Sequence, residues 1–538
     1  MTQRTLILGL LLCLAPAVCL PRQGRGDPAH PPGAGWPGGD RGPALVQVYT
    51  DADLARLSGL VTDIVSVRRG WAEVRLTDDE RERLSVEGFS AFPIPDRALE
   101  EFRQRLAAGE IGGDAADAYY TLATLAADLQ AVAAAHPDIC RLYSAGTSVQ
   151  GRPLHVMKIT ANPDAVALKP GFRYIGSMHG NEPLGMEMLM RLIHLLAEGY
   201  GSDSRITRLV DQMEIFVLPL MNPDGYGGFA SPQRYNAHGV DLNRNFPDRI
   251  DDPVNTPDGR EPETAAVMTW FDSRPTVMSA NFHTGALVVN YPWDSTTKPS
   301  GSYAACPDDD TFIHISEAYA CHNPPMWNSS EFHHGITNGC DWYILFGGLQ
   351  DWSYNWTGDL AVTIELSDTF FPPASTLQTY WDNNRESLLC YMEEALKGVW
   401  GVVTDAGTGQ PLAADITAFG RNVPFRSDPV TGDYYRRLLP GTYALTFEAE
   451  GYAPLTVNDV VITEGAPVRL DVQLSLHTGP TEGDVNDDGL IDALDLATLA
   501  AFEAGNLLKS DIDWREADLD HNNRVDVRDT LLLLLSLT

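Results

Sequence analysis

The segment YIGSMHGNEPLG at residues 174–185 determines the architecture of the central part of this chain. It joins an apolar strand candidate to a helix candidate that runs from Gly185 to Glu198. His179 and Glu182 lie three residues apart in it, a spacing at which an imidazole and a carboxylate can bind one metal ion. A third ligand from a distant strand, His283, would leave a fourth position open, as in catalytic zinc sites. The alternative to metal binding is that His179 and Glu182 merely lie on the same turn.

Helix and strand candidates alternate from about residue 119 to residue 397, and Leu122–His136 has the pattern of a helix. The apolar segments with the composition of buried strands are residues 155–160, 171–177, 214–219 and 278–282. Such alternation predicts an α/β sheet with helices on both faces. Functional sites of these sheets lie at the carboxyl ends of strands. His179 and His283 each follow a strand candidate closely, so both are expected at that end.

The length and the charge of the chain limit its number of domains and its possible binding partners. With 538 residues it is expected to fold as several domains. It contains 73 Asp and Glu residues against 38 Lys and Arg residues, a formal net charge of -35. No broad basic surface is available to neutralise phosphates, which argues against nucleic acid as a partner.

The first 17 residues have the pattern of a signal peptide. Arg4 supplies the positive charge, Leu6–Leu14 is the apolar region and Ala15-Pro16-Ala17 matches a cleavage site. No later segment is apolar for long enough to cross a membrane, so we expect a secreted protein without a transmembrane segment. Residues 18–43 are rich in Gly and Pro and are expected to form a spacer.

Residues 44–96 have the alternating pattern of a small α+β module. The strand candidates are Val46–Tyr49, Ile64–Val67 and Ala72–Leu76, and the helix candidates are Asp51–Leu60 and Thr77–Ser85. The module is similar to the prosegment-like modules that precede secreted peptidases. An inhibitory or folding role is one expectation, and a plain structural addition is the other.

Three cysteines, Cys306, Cys321 and Cys340, lie close together in the sequence. A disulfide among them is compatible with an oxidising compartment. The alternative is a set of buried free thiols.

Several short motifs follow one another in the central region. They are MHGNEP at residues 178–183, NPDG at 222–225, DLNRNFPD at 241–248, GITNG at 335–339, GGLQDW at 347–352 and TIELS at 363–367. In this order they make residues 115–397 resemble the zinc metallocarboxypeptidases of the carboxypeptidase N, E and D type. The resemblance implies a carboxypeptidase-like mixed α/β sheet and one catalytic zinc ion.

The resemblance also implies a chemical role for individual residues. His179, Glu182 and His283 would bind the zinc ion. Glu365 would be the general base that takes a proton from water and later delivers it to the leaving amine. Its place on an apolar strand agrees with this role, because a buried carboxylate without a partner is unfavourable. Asp241 would orient a ligand imidazole, and its alternative role is a simple turn contact.

The same resemblance implies how a peptide C-terminus would be recognised. Asn243 and Arg244 would bind the free carboxylate, which a guanidinium group can bind with two hydrogen bonds. Arg234 would polarise the scissile carbonyl and stabilise the oxyanion. Tyr343 would close over the bound peptide.

Two positions imply a preference for peptides that end in Arg or Lys. Asp294 aligns, without a gap after His283, with the acid at the base of the family's side-chain pocket, and Gln350 occupies the other pocket position. The alternative for Asp294 is an ordinary loop carboxylate. The chain departs from the family pattern at Thr284, which replaces a Gly, and at Asp368, which replaces a common Cys.

Two further domains are expected after the catalytic region. Residues 398–476 have short alternating runs between Gly and Pro turns and resemble the all-β transthyretin-like sandwich that follows this catalytic domain in the family. After a linker at 477–482, residues 483–538 contain two acidic loops of the EF-hand type, each followed by an apolar helix. The expected calcium ligands are Asp484, Asn486, Asp488, Asp492, Asp495, Asp518, Asp520, Asn522, Asp526 and Asp529. The tandem resembles a type I dockerin, a small α-helical module that binds calcium, two ions here, and a cohesin partner.

Two other functions stay open at the level of the sequence. One is a catalytically silent peptide-binding protein on the same scaffold, although no proposed ligand or base is missing. The other is a carboxypeptidase that trims peptidoglycan peptides, because a diamino acid is also cationic.

Overall fold

The computed structural model describes residues 41–61, 63–68, 70–111, 118–228, 231–298, 301–476, 483, 485–486, 493–507, 512, 514–519 and 524–536. The predicted signal peptide, nearly all of the predicted spacer and the predicted linker at 477–482 lie outside these residues. Within the described ranges, no helix has both the length and the apolar character needed to cross a bilayer.

The N-terminal module is a four-stranded antiparallel sheet with two helices, in agreement with the predicted α+β character. Its elements are β1 (Gly42–Gln47), α1 (Asp51–Ser58), β2 (Ile64–Arg68), β3 (Trp71–Leu76), α2 (Asp78–Val86) and β4 (Ala91–Pro93), in the sheet order β2-β3-β1-β4. The first strand ends at Gln47, two residues before the predicted end. The Asp53 carboxylate accepts hydrogen bonds from the backbone N–H groups of Tyr49 and Thr50, which begin the cap of α1 instead.

A helix that the sequence analysis did not predict follows the module. This helix, α3 (Arg97–Ala107), begins at Asp96, whose side chain accepts a hydrogen bond from the backbone N–H of Leu99. Five of its eleven residues are charged, whereas Ala98 is buried and Phe102 packs against the first core of the catalytic domain.

The catalytic domain is built on an eight-stranded mixed sheet in the order β11-β10-β12-β9-β7-β8-β6-β5. Its strands are β5 (Cys140–Thr147), β6 (Pro153–Ile159), β7 (Gly171–Ile175), β8 (Glu214–Leu218), β9 (Met278–His283), β10 (Leu287–Tyr291), β11 (Ile336–Asn338) and β12 (Leu360–Leu366). Its helices are α4 (Leu122–Ala135), α5 (Leu184–Gly199), α6 (Ser204–Gln212), α7 (Pro223–Gly227), α8 (Pro262–Asp272), α9 (Asp309–Ala320), α10 (Pro324–Trp327), α11 (Gly339–Trp342), α12 (Leu349–Thr357) and α13 (Leu377–Glu394), with 3-10 helices at Leu242–Arg244, His333–Gly335 and Ala374–Thr376. The four central strands, β12, β9, β7 and β8, are parallel to one another.

The central strands are buried on both faces, as expected when helices cover a parallel sheet. On β8, Ile215 and Val217 pack into one hydrophobic core, whereas Phe216 and Leu218 pack into a second core on the opposite face. Helices α5, α9 and α13 contribute to the first core, and α8 and α12 to the second. The structure thus confirms the predicted α/β sheet with helices on both faces.

The third domain is an all-β sandwich, as predicted. Its strands are β13 (Val399–Asp405), β14 (Asp415–Ala418), β15 (Arg421–Arg426), β16 (Asp433–Arg436), β17 (Gly441–Glu448), β18 (Leu455–Ile462), β19 (Val468–Arg469) and β20 (Val472–Leu474). One sheet has the order β16-β13-β19, with β20 also paired to β13, and the other has the order β15-β14-β17-β18. A single hydrophobic core lies between them.

Buried ion pairs join the sandwich to the catalytic domain. Arg436 and Arg421 of the sandwich both contact Asp308, which is fully buried at the start of α9. Arg437 contacts Glu394 at the end of α13, with 2.8 Å between Nη2 and Oε2. Such pairs require precise geometry, because removing one partner leaves a buried charge uncompensated.

The described residues of the C-terminal region form three helices around a small apolar core, in agreement with the predicted helical module. They are α14 (Ala493–Glu503), α15 (Trp514–Ala517) and α16 (Val527–Ser536). Five of the predicted calcium ligands, Asp484, Asp488, Asp492, Asp520 and Asn522, lie outside the described residues.

The other five predicted calcium ligands are Asn486, Asp495, Asp518, Asp526 and Asp529. Asp495 and Asp529, the last ligand position of each loop, are buried. Each accepts a backbone hydrogen bond from another ligand position of its own loop: Asn486 donates to Asp495 over 3.1 Å, and Asp526 donates to Asp529 over 2.8 Å.

The described cysteines are all free thiols. Cys306 and Cys340 are buried, whereas Cys321 is exposed on the surface after α9. The structure therefore contains no disulfide among these three cysteines. Cys306 and Cys340 fit the alternative of buried free thiols, whereas Cys321 is a free thiol at the surface.

Candidate active site

His179, Glu182 and His283 come together at the carboxyl end of the central parallel strands. His179 follows β7, Glu182 lies in the turn that leads into α5, and His283 is the last residue of β9. The turn is tight: an added Cβ on Gly180 would lie 2.1 Å from the carbonyl carbon of Gly225, so only Gly fits there.

The donor atoms of these three residues fit a metal ion. The Nδ1 atoms of His179 and His283 lie 3.0 Å apart, and each is 3.0 Å from one oxygen of Glu182. All three side chains are buried, and one ligand atom from each lies within 4.8 Å of the others. Two imidazole nitrogens and a carboxylate are donors that zinc prefers. The residues present therefore suit a zinc ion bound between them.

Asp241 contacts Nε2 of His179, whereas Nδ1 of the same ring lies in the ligand cluster. One carboxylate oxygen lies 3.0 Å from Nε2 of His179, and the other accepts a hydrogen bond from Arg234 Nε over 2.9 Å. The backbone N–H of Asn243 also donates to Asp241, which is the turn contact considered as the alternative. Burial raises the pKa of Asp241, but the nearby Arg234 and His179 outweigh it and hold the pKa well below its usual range.

Glu365 lies next to the metal-ligand cluster because of the sheet order. On β12 it is paired with His283 on the neighbouring parallel strand β9. An added Cβ on Gly285 would lie 3.3 Å from the Phe370 ring and 4.0 Å from Oε2 of Glu365, so Gly285 lies against both residues. Thr284, the departure from the family pattern, donates its hydroxyl to the carbonyl of Phe370 over 3.2 Å, and its backbone N–H donates to Oε2 of Glu182.

The three polar residues predicted to bind the peptide backbone and carboxylate lie together beside this cluster. Arg234 Nη1 is 3.2 Å from Oε1 of Glu182 and 3.1 Å from Nδ1 of His179. Arg244 donates from Nη1 to the carbonyl of Asn243 over 3.0 Å. The Asn243 side chain accepts a hydrogen bond from the backbone N–H of Leu349 at the start of α12.

Asp294 and Gln350, the two predicted pocket residues, are both buried. Asn290 Nδ2 donates to Asp294 Oδ1 over 2.8 Å. Neither polar atom of the Gln350 side chain has a hydrogen-bond partner within the described part of the chain, although both are buried. Gly339 makes room for the acid, since an added Cβ there would lie 1.9 Å from Asp294 Oδ1. Buried polar groups without partners are rare in native structures, so those of Gln350 require an explanation.

Asp351 positions the pocket acid, a role that the sequence analysis did not assign. Its carboxylate accepts hydrogen bonds from the backbone N–H groups of Asp294 and Ser295. Burial raises the pKa of Asp351 to about 6. Burial and the neighbouring Asp351 raise the pKa of Asp294 well above its usual range. The position of Asp351 one residue after Gln350, in the motif at 347–352, was the available signal.

Tyr343 follows α11 and is 9% exposed. Its backbone N–H donates to the carbonyl of Gly339 over 2.8 Å. The ring packs against the N-terminal module rather than standing free at the cleft, and burial raises its pKa. The sequence analysis did not anticipate this contact.

The comparisons with known proteins agree with these observations. A family model described as zinc carboxypeptidase matches residues 125–387. The carboxypeptidase N catalytic chain of Rattus norvegicus is 39% identical over 379 residues, which cover 64% of this chain and 82% of that protein. The chain belongs to the zinc carboxypeptidase family. Carboxypeptidase D of Homo sapiens is 43% identical over 348 residues, or 62% of this chain but only 25% of that longer protein.

The other parts of the chain also match known families. A carboxypeptidase regulatory-like domain matches residues 398–475, and a dockerin type I domain matches residues 482–537. Among solved structures, the carboxypeptidase A from Helicoverpa armigera superposes with a TM-score of 0.54 and 20% identity, covering 66% of this chain and 97% of that one. At this identity the likeness concerns the fold.

Proposed function

We propose that this chain is a secreted zinc metallocarboxypeptidase that removes the C-terminal residue of peptides or proteins. The observation that supports this most directly is the convergence of His179, Glu182 and His283 at the strand ends, with Glu365 on the adjacent strand. A metal site with three protein ligands and a neighbouring carboxylate is the arrangement of a hydrolase rather than of a structural zinc site.

Each residue around this centre has a distinct proposed role in peptide hydrolysis. When bound, zinc would supply a Lewis acid for the scissile carbonyl and for water. Glu365 would take the proton from the attacking water and then donate it to the leaving amine. Arg234 would stabilise the negative charge that develops on the carbonyl oxygen. Asn243 and Arg244 would bind the terminal carboxylate and so restrict cleavage to the last peptide bond.

The pocket beyond Arg244 favours a basic C-terminal residue. Asp294 is a buried acid at the pocket wall, and Gln350 offers two buried polar atoms without partners. A cationic side chain would compensate the Asp294 charge and give hydrogen bonds to Gln350. An aliphatic side chain would leave the Asp294 charge without a counter-charge and Gln350 without a hydrogen-bond partner, so we propose a preference for C-terminal Arg or Lys.

We expect the affinity for Arg-ended peptides to increase with pH. Burial raises the pKa of Asp294 well above its usual range and that of Asp351 to about 6, so a protonated pair becomes ionised as the pH rises. Ionised Asp294 attracts the guanidinium group, and KM should fall by up to about tenfold per pH unit over the range in which Asp294 ionises. The measurement is KM against pH for matched peptides ending in Arg and in Leu.

In the same titration, the KM for the Leu-ended peptide serves as the control and should lack this decrease. Parallel curves for the two peptides would mean that Asp294 does not meet the substrate side chain.

We expect a strong chelator to abolish the release of C-terminal arginine and added Zn²⁺ to restore it. The variant His283→Ala should lose the bound zinc when metal content is measured by atomic absorption. His136→Ala is the matched control, because His136 ends α4 outside the ligand cluster. Full turnover in the metal-free protein would contradict the proposed function.

The dockerin region supports an assembly role outside the cell. We propose that its two acidic loops bind two calcium ions and that the module attaches the enzyme to a cohesin-bearing partner. The buried Asp495 and Asp529 at the ends of the loops support the first part of this proposal.

A further inference from the structure

A second group of metal-binding side chains lies on the catalytic domain. It consists of His322, Glu386 and Cys390, and one donor atom from each lies within 4.8 Å of the others. None of these residues belongs to the candidate active site or has a role in the proposed hydrolysis. The cluster therefore requires an explanation of its own.

Helix α13 supplies two of the three donors at ligand spacing. Glu386 and Cys390 are four residues apart, so their side chains lie on the same face of the helix. The thiol of Cys390 donates to Oε1 of Glu386 over 3.3 Å. A thiolate sulfur and a carboxylate oxygen on one tetrahedral zinc ion are about 3.5 Å apart, given the usual bond lengths. A metal ion could therefore bind both atoms with little movement of the helix.

A buried polar network brings the third donor, His322, to this face of α13. Asn384 Oδ1 on α13 accepts hydrogen bonds from the hydroxyl of Tyr319 over 2.7 Å and from Asn323 Nδ2 over 2.9 Å. All three of these side chains are buried. Tyr319 and Asn323 lie on either side of His322 in the sequence, so the network fixes the backbone that carries the imidazole relative to α13.

An open cavity gives ions access to the cluster. Its volume is about 810 Å³, and its walls include His322, Cys390 and residues 465–467 of the sandwich. The side chain of His322 is exposed, and those of Glu386 and Cys390 are half-buried. A metal ion could therefore reach all three donors from solvent.

Arg205 already places a positive charge against two of the donors. Its Nη1 donates to both oxygens of Glu386, over 2.7 and 2.9 Å, and its Nη2 lies 3.3 Å from Cys390 Sγ. The guanidinium also binds Glu393 through Nε and Nη2, over 2.9 Å each. Arg205 can keep Glu393 and one oxygen of Glu386 while the other oxygen binds a metal ion. These ion pairs account for Glu386 but require neither Cys390 nor His322.

We propose that His322, Glu386 and Cys390 form a second zinc site that links α9 to α13. A sulfur, a nitrogen and an oxygen donor favour zinc over calcium or magnesium, which prefer oxygen ligands alone. On binding, the Cys390 thiol releases its proton to water and its sulfur bonds to the metal, without oxidation or reduction. The link stabilises the helix that ends at Glu394, the partner of Arg437 in the sandwich.

The test uses the zinc-free full chain with reduced thiols, in the presence of calcium, and Co²⁺ as the probe. A thiolate bound to Co²⁺ gives a charge-transfer band in the near ultraviolet. The catalytic cluster offers only nitrogen and oxygen donors, so this band reports the second site. The wild-type chain should show the band and Cys390→Ser should lose it. His322→Ala should need at least about tenfold more Co²⁺, since even the loss of an outer-shell partner weakens metal binding by about 10- to 100-fold.

Cys321→Ser and His314→Ala are the matched controls, because both side chains line the same cavity but lie outside the cluster. Each should keep the wild-type band and cobalt affinity. Absence of the band from the wild-type chain would overturn the proposal. Its loss in Cys321→Ser but not in Cys390→Ser, or an unchanged cobalt affinity in His322→Ala, would overturn the ligand assignment.

Metal content separates this site from the catalytic one. His283→Ala should lose one zinc ion per chain and keep the cobalt band, whereas Cys390→Ser should lose the other zinc ion and still release arginine. A wild-type chain whose only zinc ion disappears in His283→Ala would refute the second site alone. Two bound zinc ions without turnover would refute the catalytic function alone.

Thermal unfolding tests the link between the helices. Zinc should raise the melting temperature of His283→Ala, because a ligand that binds only the folded chain stabilises it. It should leave the melting temperature of the double variant with Cys390→Ser unchanged. An equal increase in both chains would contradict the stabilising role of the second site.

Discussion

The substitution Glu365→Gln should lower kcat for C-terminal arginine release by about 10³-fold, the size expected when a general acid–base group is lost. Glu365 lies on β12 beside His283, and Gln cannot accept the proton of the attacking water. KM should change little, because the groups proposed to bind the peptide lie on other elements. Steady-state kinetics with a blocked dipeptide ending in arginine give both constants.

Two controls make this result specific. The zinc content of Glu365→Gln should equal that of the wild-type chain, since Glu365 is not among the three clustered ligands. Glu317→Gln changes a partly exposed glutamate on α9 and should leave kcat unchanged. Retention of wild-type kcat by Glu365→Gln would require another base and would contradict the proposed mechanism.

The substitution Asp294→Asn should lower the selectivity for Arg-ended over Leu-ended peptides by about 10²-fold in the ratio of kcat/KM values. In the wild-type chain the buried carboxylate compensates a substrate cation. In the variant, the guanidinium group would be buried without a counter-charge, whereas the leucine side chain would lose nothing. Asparagine has nearly the same size as aspartate, so the change isolates the charge.

Asp309→Asn is the control for Asp294→Asn, because Asp309 is a partly exposed acid on α9 that contacts the hydroxyl of Tyr303. Its selectivity should equal that of the wild-type chain. If Asp294→Asn kept the full preference for Arg, the basic side chain would have to be recognised elsewhere in the cleft.

The sequence alone was sufficient for features that depend on neighbouring residues. His179 and Glu182 are brought together by one turn after β7, and Asp241 and Asn243 by a single 3-10 helix. Each of these short motifs contains functional residues that are close neighbours in the sequence. The strand and helix candidates around them also correspond closely to the observed elements, because buried parallel strands have continuous apolar sequences.

Contacts between distant segments could not be predicted in this way. The pairing of Glu365 with His283 depends on the order of the strands, which no local pattern specifies. The contact between Asp63 and Arg234 joins two separately folded units across most of the N-terminal half of the chain. Nothing in the periodicity around residue 63 indicates that this acid would be buried in another domain rather than exposed in a loop.

The ion pairs between the sandwich and the catalytic domain determine how short a recombinant enzyme can be. A gene truncated after residue 397, where the peptidase fold itself ends, would leave Asp308 and Glu394 without Arg436 and Arg437. Asp308 would lose both of its arginine partners, and Glu394 would keep only His314 and Lys397, so the shortened product should be less stable. The smallest expressible peptidase therefore extends to about residue 476, and libraries of shortened variants should keep the sandwich even when only catalysis is wanted.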